Sequence, residues 1–283
     1  MMAKTVVRKL GIIIGTLLVP YAAVLIGAAV FQRKLLYFPS RNSFDDLVRS
    51  GRSVGLEPWT LKDRRPIGWR RPAPRQPAVA TVLVVHGNAG YAVHRALYAD
   101  ALQHAANVDV CVLEYPGYGF RDGEASEASF CAAADEALMG IDPAARLFVV
   151  GESLGTGVAC YLAGAHSNRI DGLLLVAPYD RLTNVAQDHF PWLPAQWLLR
   201  DRFDSLAHLT RYHGRIAVWV AGNDVVVPAR FGRRLFESFS GPKVLRDAPN
   251  AGHEDVFHEP REWWKQVTEF WMASPTNGTE QSR

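Results

Sequence analysis

Val149-Val150-Gly151-Glu152-Ser153-Leu154-Gly155-Thr156-Gly157 decides how the rest of the chain is read. Its centre is Gly-x-Ser-x-Gly. The residues ahead of it, Arg146-Leu147-Phe148-Val149-Val150, form a short apolar run of strand type. Those behind it, Val158-Ala159-Cys160-Tyr161-Leu162-Ala163, read as a helix. A strand, a tight turn with serine at its apex and a helix make the setting in which a hydroxyl is presented as a nucleophile. Side chains at 151 and 155 would strike the adjoining strand or helix, so both positions favour glycine.

A serine hydroxyl is a weak nucleophile until an imidazole takes its proton and a carboxylate orients that imidazole. In the chain order that goes with this turn, the acid follows the serine and the histidine comes last. Ile216-Ala217-Val218-Trp219-Val220 reads as a buried strand and runs through Ala221-Gly222-Asn223 to Asp224. Lys243-Val244-Leu245-Arg246 reads as the last strand and is followed by Asn250-Ala251-Gly252-His253. Both polar residues thus lie just past strand ends, where catalytic groups concentrate. Upstream, Thr81-Val82-Leu83-Val84-Val85 leads into His86-Gly87-Asn88-Ala89-Gly90. A loop of this kind offers backbone N–H groups to a developing oxyanion. The expected donors are the N–H groups of Asn88 and Leu154.

With these blocks assembled, the chain resembles a Ser-His-Asp α/β-hydrolase, and within that family the membrane-anchored Bem46-like branch. Four blocks carry the likeness: Gln32-Arg33-Lys34-Leu35-Leu36-Tyr37-Phe38-Pro39, His86-Gly87-Asn88-Ala89-Gly90, Tyr115-Pro116-Gly117-Tyr118-Gly119 and Gly151-Glu152-Ser153-Leu154-Gly155. It covers roughly residues 30–272. The resemblance implies a mostly parallel sheet with helices on both faces, and a serine hydrolase of carboxylic esters or thioesters that needs no cofactor and no metal. Phe120 departs from the family pattern at a position that shapes a pocket wall.

Composition agrees with a folded domain. The chain has 283 residues, 48% of them apolar, which excludes a disordered chain. A net charge of +3 is far from the concentrated basic face that nucleic-acid binding requires. Three cysteines, Cys111, Cys131 and Cys160, are an odd number in strand and helix patterns and read as buried free thiols.

Leu10–Phe31 carries no charge over 22 residues, about 33 Å as a helix and enough for a bilayer core. Residues 1–31 are therefore expected to be a membrane anchor, with a cleaved signal sequence as the rival, since Gly27-Ala28-Ala29 resembles a cleavage site. The single-pass reading puts the catalytic domain on the periplasmic or lumenal side. Residues 32–55 are expected to be a linker packing on the domain, 56–272 the hydrolase domain, and 273–283 a disordered tail. Glu57–Leu61 and Pro66–Arg70 read as an edge hairpin guarded by arginines. Strands at 79–85, 108–114, 146–150 and 171–176 then alternate with helices at 91–105, 125–140 and 154–166. Helices at 229–239 and 259–272 follow the later strands.

Residues 178–215 exceed a simple crossover and hold Phe190-Pro191-Trp192-Leu193-Pro194 and Trp197-Leu198-Leu199. They read as a short helical cap, with Tyr118, Trp192 and Trp197 as expected pocket walls over an acylated or lipid-like substrate. Asp180 is the rival acid. His189, His208, His213 and His258 read as surface or packing histidines, and His86 as a brace of its loop. His253 and His258 stand five apart, about 140° around a helix, which excludes the zinc-protease pattern. Ser153 excludes a dehalogenase, which needs a carboxylate nucleophile. An acyltransferase or small-substrate peptidase could use the same three residues, and a membrane-anchored scaffold with an inactive relic of them is the reading from another class.

Overall fold

The computed structural model describes the backbone of residues 2–273, and the side chains of residues 16 and 18–273. Of the tail expected over 273–283, residues 274–283 lie outside the described residues.

The chain opens with α1 (Met2–Leu36), followed by β1 (Phe38–Pro39), α2 (Phe44–Ser53), β2 (Glu57–Thr60), β3 (Pro66–Arg71), β4 (Ala80–Val85) and β5 (Ala89–Gly90). Next come α3 (Ala96–Ala105), β6 (Val108–Leu113), α4 (Glu127–Met139), β7 (Leu147–Glu152), α5 (Gly155–Ala165) and β8 (Gly172–Val176). The cap holds α6 (Leu182–His189), α7 (Ala195–Leu198) and α8 (Ser205–Leu209). The chain ends with β9 (Arg215–Ala221), α9 (Ala229–Ser238), β10 (Lys243–Ala248) and α10 (Arg261–Met272).

Among the described residues the main sheet has eight strands in the order β10-β9-β8-β7-β4-β6-β3-β2. Only β3 and β2 run antiparallel to their neighbours. The interior strands are buried on both faces, so they read as unbroken apolar runs. Strand β4 shows how the two faces divide: Leu83 and Val85 enter one core cluster with residues of α4, α5 and α9, while Val82 and Val84 enter the other with residues of α3 and α10. Fully buried Trp271 of α10 stacks on Phe148 of β7 at 4.8 Å, and its indole N–H donates to the Leu173 carbonyl at 3.0 Å.

Two boundaries differ from the sequence reading for local reasons. The helix expected over 91–105 begins as a tighter 3₁₀ turn at Ala92–Arg95 before α3. The helix expected from 259 begins at Arg261, because Pro260 caps it after a separate 3₁₀ turn at Asp255–His258.

Residues 32–55, expected to be a linker packing on the domain, hold the end of α1, β1 and α2. Helix α1 continues past residue 31 to Leu36, and Leu18–Leu36 is long and apolar enough to cross a membrane by length and composition. Ser43 then caps α2, its hydroxyl accepting the Asp46 N–H at 3.2 Å, with Asp45 and Asp46 in the first turn where the helix dipole favours acids. Phe44 of this helix stacks against Trp69 at 6.0 Å, and buried Leu47 faces the same core. The cap is thin: its helices have 8, 4 and 5 residues.

Candidate active site

Strand β7 runs straight into the turn that carries Ser153, which adopts φ +51°, the left-handed region that a non-glycine residue enters only under constraint. The constraint is steric and hydrogen-bonded. Ser153 N–H donates to the Val176 carbonyl at 2.8 Å, and its carbonyl accepts from Thr156 N–H at 2.9 Å. A Cβ at Gly151 would come within 2.8 Å of Ala159 Cβ and Gly155 O, and one at Gly155 within 2.3 Å of Val85 O. Helix α5 therefore lies directly against the end of β4, and neither position has room for a side chain.

The serine meets the histidine across 100 residues of sequence. His253 Nε2 lies 2.8 Å from Ser153 Oγ, and Nδ1 lies 2.6 Å from Asp224 Oδ2. An ionised carboxylate only accepts, so the shared proton sits on Nδ1 and leaves Nε2 free to accept from the serine hydroxyl. Asp224 is itself fixed: its Oδ1 accepts the N–H groups of Val226 at 2.8 Å and Val227 at 2.7 Å. Its side chain is only 1% exposed, and that of His253 is 18% exposed. The rival acid Asp180 is engaged elsewhere, accepting from Arg234 at 2.9 Å, Asn184 at 2.8 Å and its neighbour's N–H.

The loop after β4 reaches the serine from the other side. A Cβ at Gly87 would lie 3.4 Å from Ser153 Cβ, which places this loop against the nucleophile. The expected oxyanion donors are the residues next in sequence to this approach, Asn88 after Gly87 and Leu154 after Ser153. His86 is buried, packs at a tilt against Tyr115 with ring centres 4.3 Å apart, and has its Nδ1 2.8 Å from Gly87 O. Fully buried Tyr118 donates to Asn88 O at 2.7 Å. It thus packs behind the loop instead of facing a pocket.

Trp192 and Trp197 also depart from the expected pocket walls. They are 54% and 87% exposed, Trp192 in the loop between α6 and α7 and Trp197 on α7. The apolar groove in this region, a cavity of about 130 Å³, is lined instead by Leu35 and Leu36 of α1 and by Phe190, Leu193, Leu198 and Leu199 of the cap.

Arg95 and Glu152 were not singled out by sequence. Glu152 precedes the serine and is clasped by Arg95 through two bonds of 3.0 and 2.7 Å. Despite its burial, the Arg95 guanidinium is held above its ordinary pKa by this carboxylate. The glutamate inside the Gly-x-Ser-x-Gly stretch was the available signal, since a carboxylate in a buried turn needs a partner. The three cysteines are buried and free, and desolvation pushes each thiol up to about 12.

A model of the alpha/beta hydrolase fold matches residues 80–212. An uncharacterized protein of Mycobacterium tuberculosis is 37% identical over 233 residues, 79% of this chain and 81% of that protein. The chain belongs to the α/β-hydrolase family. Protein bem46 of Schizosaccharomyces pombe is 31% identical to this α/β-hydrolase over 117 residues, 40% of this chain and 39% of that one. Among solved structures, the Pyrococcus furiosus esterase Pf2001 superposes with a TM-score of 0.59 at 18% identity, over 83% of this chain and 96% of the esterase. At that identity the likeness establishes the shared α/β-hydrolase fold.

Proposed function

We propose that this α/β-hydrolase cleaves carboxylic esters or thioesters through an acyl-enzyme on Ser153, with His253 as base and Asp224 as its orienting acid. The observation that carries the reading is the continuous hydrogen-bonded row Ser153–His253–Asp224, with spacings of 2.8 and 2.6 Å. Ser153 Oγ attacks the acyl carbon while its proton passes to His253 Nε2. The N–H groups of Leu154 and Asn88 take the charge that develops on the carbonyl oxygen. His253 then protonates the departing alcohol or thiol. Water, activated by the same imidazole, releases the acid and restores the serine. Every step uses side chains and backbone of this chain.

The esterase name of the Pyrococcus furiosus neighbour supports ester chemistry. The apolar groove between α1 and the cap supports an acylated or lipid-like substrate. The apolar length of Leu18–Leu36 supports a single-pass anchor; the orientation proposed with it, which that length does not decide, puts the hydrolase domain on the periplasmic or lumenal side. The test is covalent labelling with a fluorophosphonate beside hydrolysis of p-nitrophenyl esters of rising chain length. The wild type labels and hydrolyses, and Ser153→Ala does neither. Undiminished hydrolysis by Ser153→Ala ends the reading, and a flat response to chain length removes the lipid-like substrate.

A further inference from the structure

We infer that the segment joining α1 to the domain, residues 36–40, is a working part of the oxyanion loop, and that Asn88 and Tyr118 are positioning residues that tie the two together. This rests on the serine-hydrolase reading above. Asn88 supplies a backbone N–H to the reaction, so the rate depends on how firmly that peptide is held. Its side-chain amide donates to the carbonyl of Leu36, the last residue of α1. That carbonyl is one of the helix's unpaired C-terminal acceptors, at the negative end of the dipole, and is a strong partner for an N–H donor. The Asn88 carbonyl accepts from Tyr118 at 2.7 Å. The next two loop residues, Ala89 and Gly90, pair in parallel with Phe38 and Pro39, and Ser40 N–H donates to Gly90 O at 3.3 Å. The loop is thus held on one side by the core and on the other by the segment leaving α1.

That segment has its own anchorage. Arg33 Nε and Nη2 donate to the two oxygens of Asp201 at 2.9 and 3.1 Å, and the Tyr37 hydroxyl donates to Oδ2 at 3.0 Å. Asp201 is 4% exposed, so these donors hold a carboxylate that would be costly to leave alone. Gln32 accepts the Arg200 N–H at 2.7 Å, and Gly119 N–H donates to Ser40 O at 2.8 Å. Position therefore passes from the cap, through Arg33 and Tyr37, to Leu36 and on to the peptide of Asn88. No charged group of the reaction is touched; the segment acts only through geometry.

The experiment uses the full chain in detergent, with Asn88→Ala and Tyr118→Phe compared with Arg41→Ala, a variant just past that segment that loses an exposed ion pair to Asp122 and a hydrogen bond to the Arg121 carbonyl but no contact to Asn88. Readouts are turnover per fluorophosphonate-titrated site on a soluble p-nitrophenyl ester, KM, thermal unfolding, and inhibition by a trifluoromethyl ketone, which forms an oxyanion adduct with the serine. Asn88→Ala is expected to lower kcat roughly 10- to 100-fold, with KM within about 3-fold, and to weaken ketone inhibition by a matching factor. Tyr118→Phe shifts both in the same direction by less, and Arg41→Ala shifts neither. Wild-type turnover per titrated site and unchanged ketone affinity in Asn88→Ala overturn the inference, whatever happens to its unfolding temperature. A Ser153→Ala enzyme that still turns over fails the hydrolase reading itself, a result these variants cannot mimic.

Discussion

Replacing Gly155 by alanine tests the packing of the serine turn directly. The added Cβ would sit 2.3 Å from Val85 O and 2.6 Å from His86 O. Both are backbone atoms at the end of β4 and the start of the loop that follows it, so no side chain can swing aside. Restoring even a 3.0 Å separation requires α5 and the end of β4 to part by 0.7 Å. Displacements near 1 Å at reacting groups cost on the order of 100-fold in rate, so kcat should fall roughly 10- to 100-fold. Overpacking typically costs about 1–3 kcal/mol, which at about 2–4 °C per kcal/mol lowers the unfolding temperature by roughly 2–12 °C. The assay is turnover of p-nitrophenyl butyrate per fluorophosphonate-titrated site, with calorimetry on the same sample. Gly27→Ala, where nothing lies within 4 Å, is the control. Wild-type turnover together with an unmoved transition in Gly155→Ala would refute the contact between α5 and β4.

Two further outcomes are expected. Asp224→Asn keeps the shape of the side chain but lets the imidazole adopt the wrong tautomer; kcat should drop by about 10³–10⁴ with little change in unfolding temperature, and a loss below tenfold in the titrated enzyme would remove Asp224 from the row. Desolvation of the ring holds half-buried His208, and the more exposed His94, below the ordinary histidine pKa of 6.5, so the fold prefers both neutral. Their contribution is complete above 6.5 and is lost as pH falls through the lower folded values. Thermal unfolding should therefore be level from pH 8 to 7 and decline toward pH 5, less steeply in His208→Gln; identical slopes in the two proteins would count against the assignment.

The sequence made the sheet and its serine turn readable because interior parallel strands are apolar throughout and glycine is forced where helix meets strand. Ser153, Asp224 and His253 stood out because each follows a strand end, and their side chains lie within hydrogen-bond distance. The grip of α1 on the cap was not readable. Arg33 and Asp201 are 168 positions apart, and neither neighbourhood carries a periodic or spaced signal that names the other. The cap misled in the opposite sense: a cluster of tryptophans and leucines suggests a covered pocket, yet Trp192 and Trp197 stay exposed while Phe190, Leu193, Leu198 and Leu199 line the groove against α1. Charged residues were hardest to place, since nothing in the sequence pairs Arg95 with Glu152, 57 positions away, yet the two close a half-buried ion pair.

The contacts that seat the N-terminal segment fall on two sides of Ala29. Tyr21, which donates to Trp192 O at 2.8 Å, lies upstream; Gln32, Arg33, Leu36 and Tyr37 lie downstream. Proteolytic shedding at the small residues Gly27-Ala28-Ala29 would sever the first and leave the others in place. Release into the surrounding fluid would then change which substrates the enzyme encounters without dismantling the machinery that attacks them.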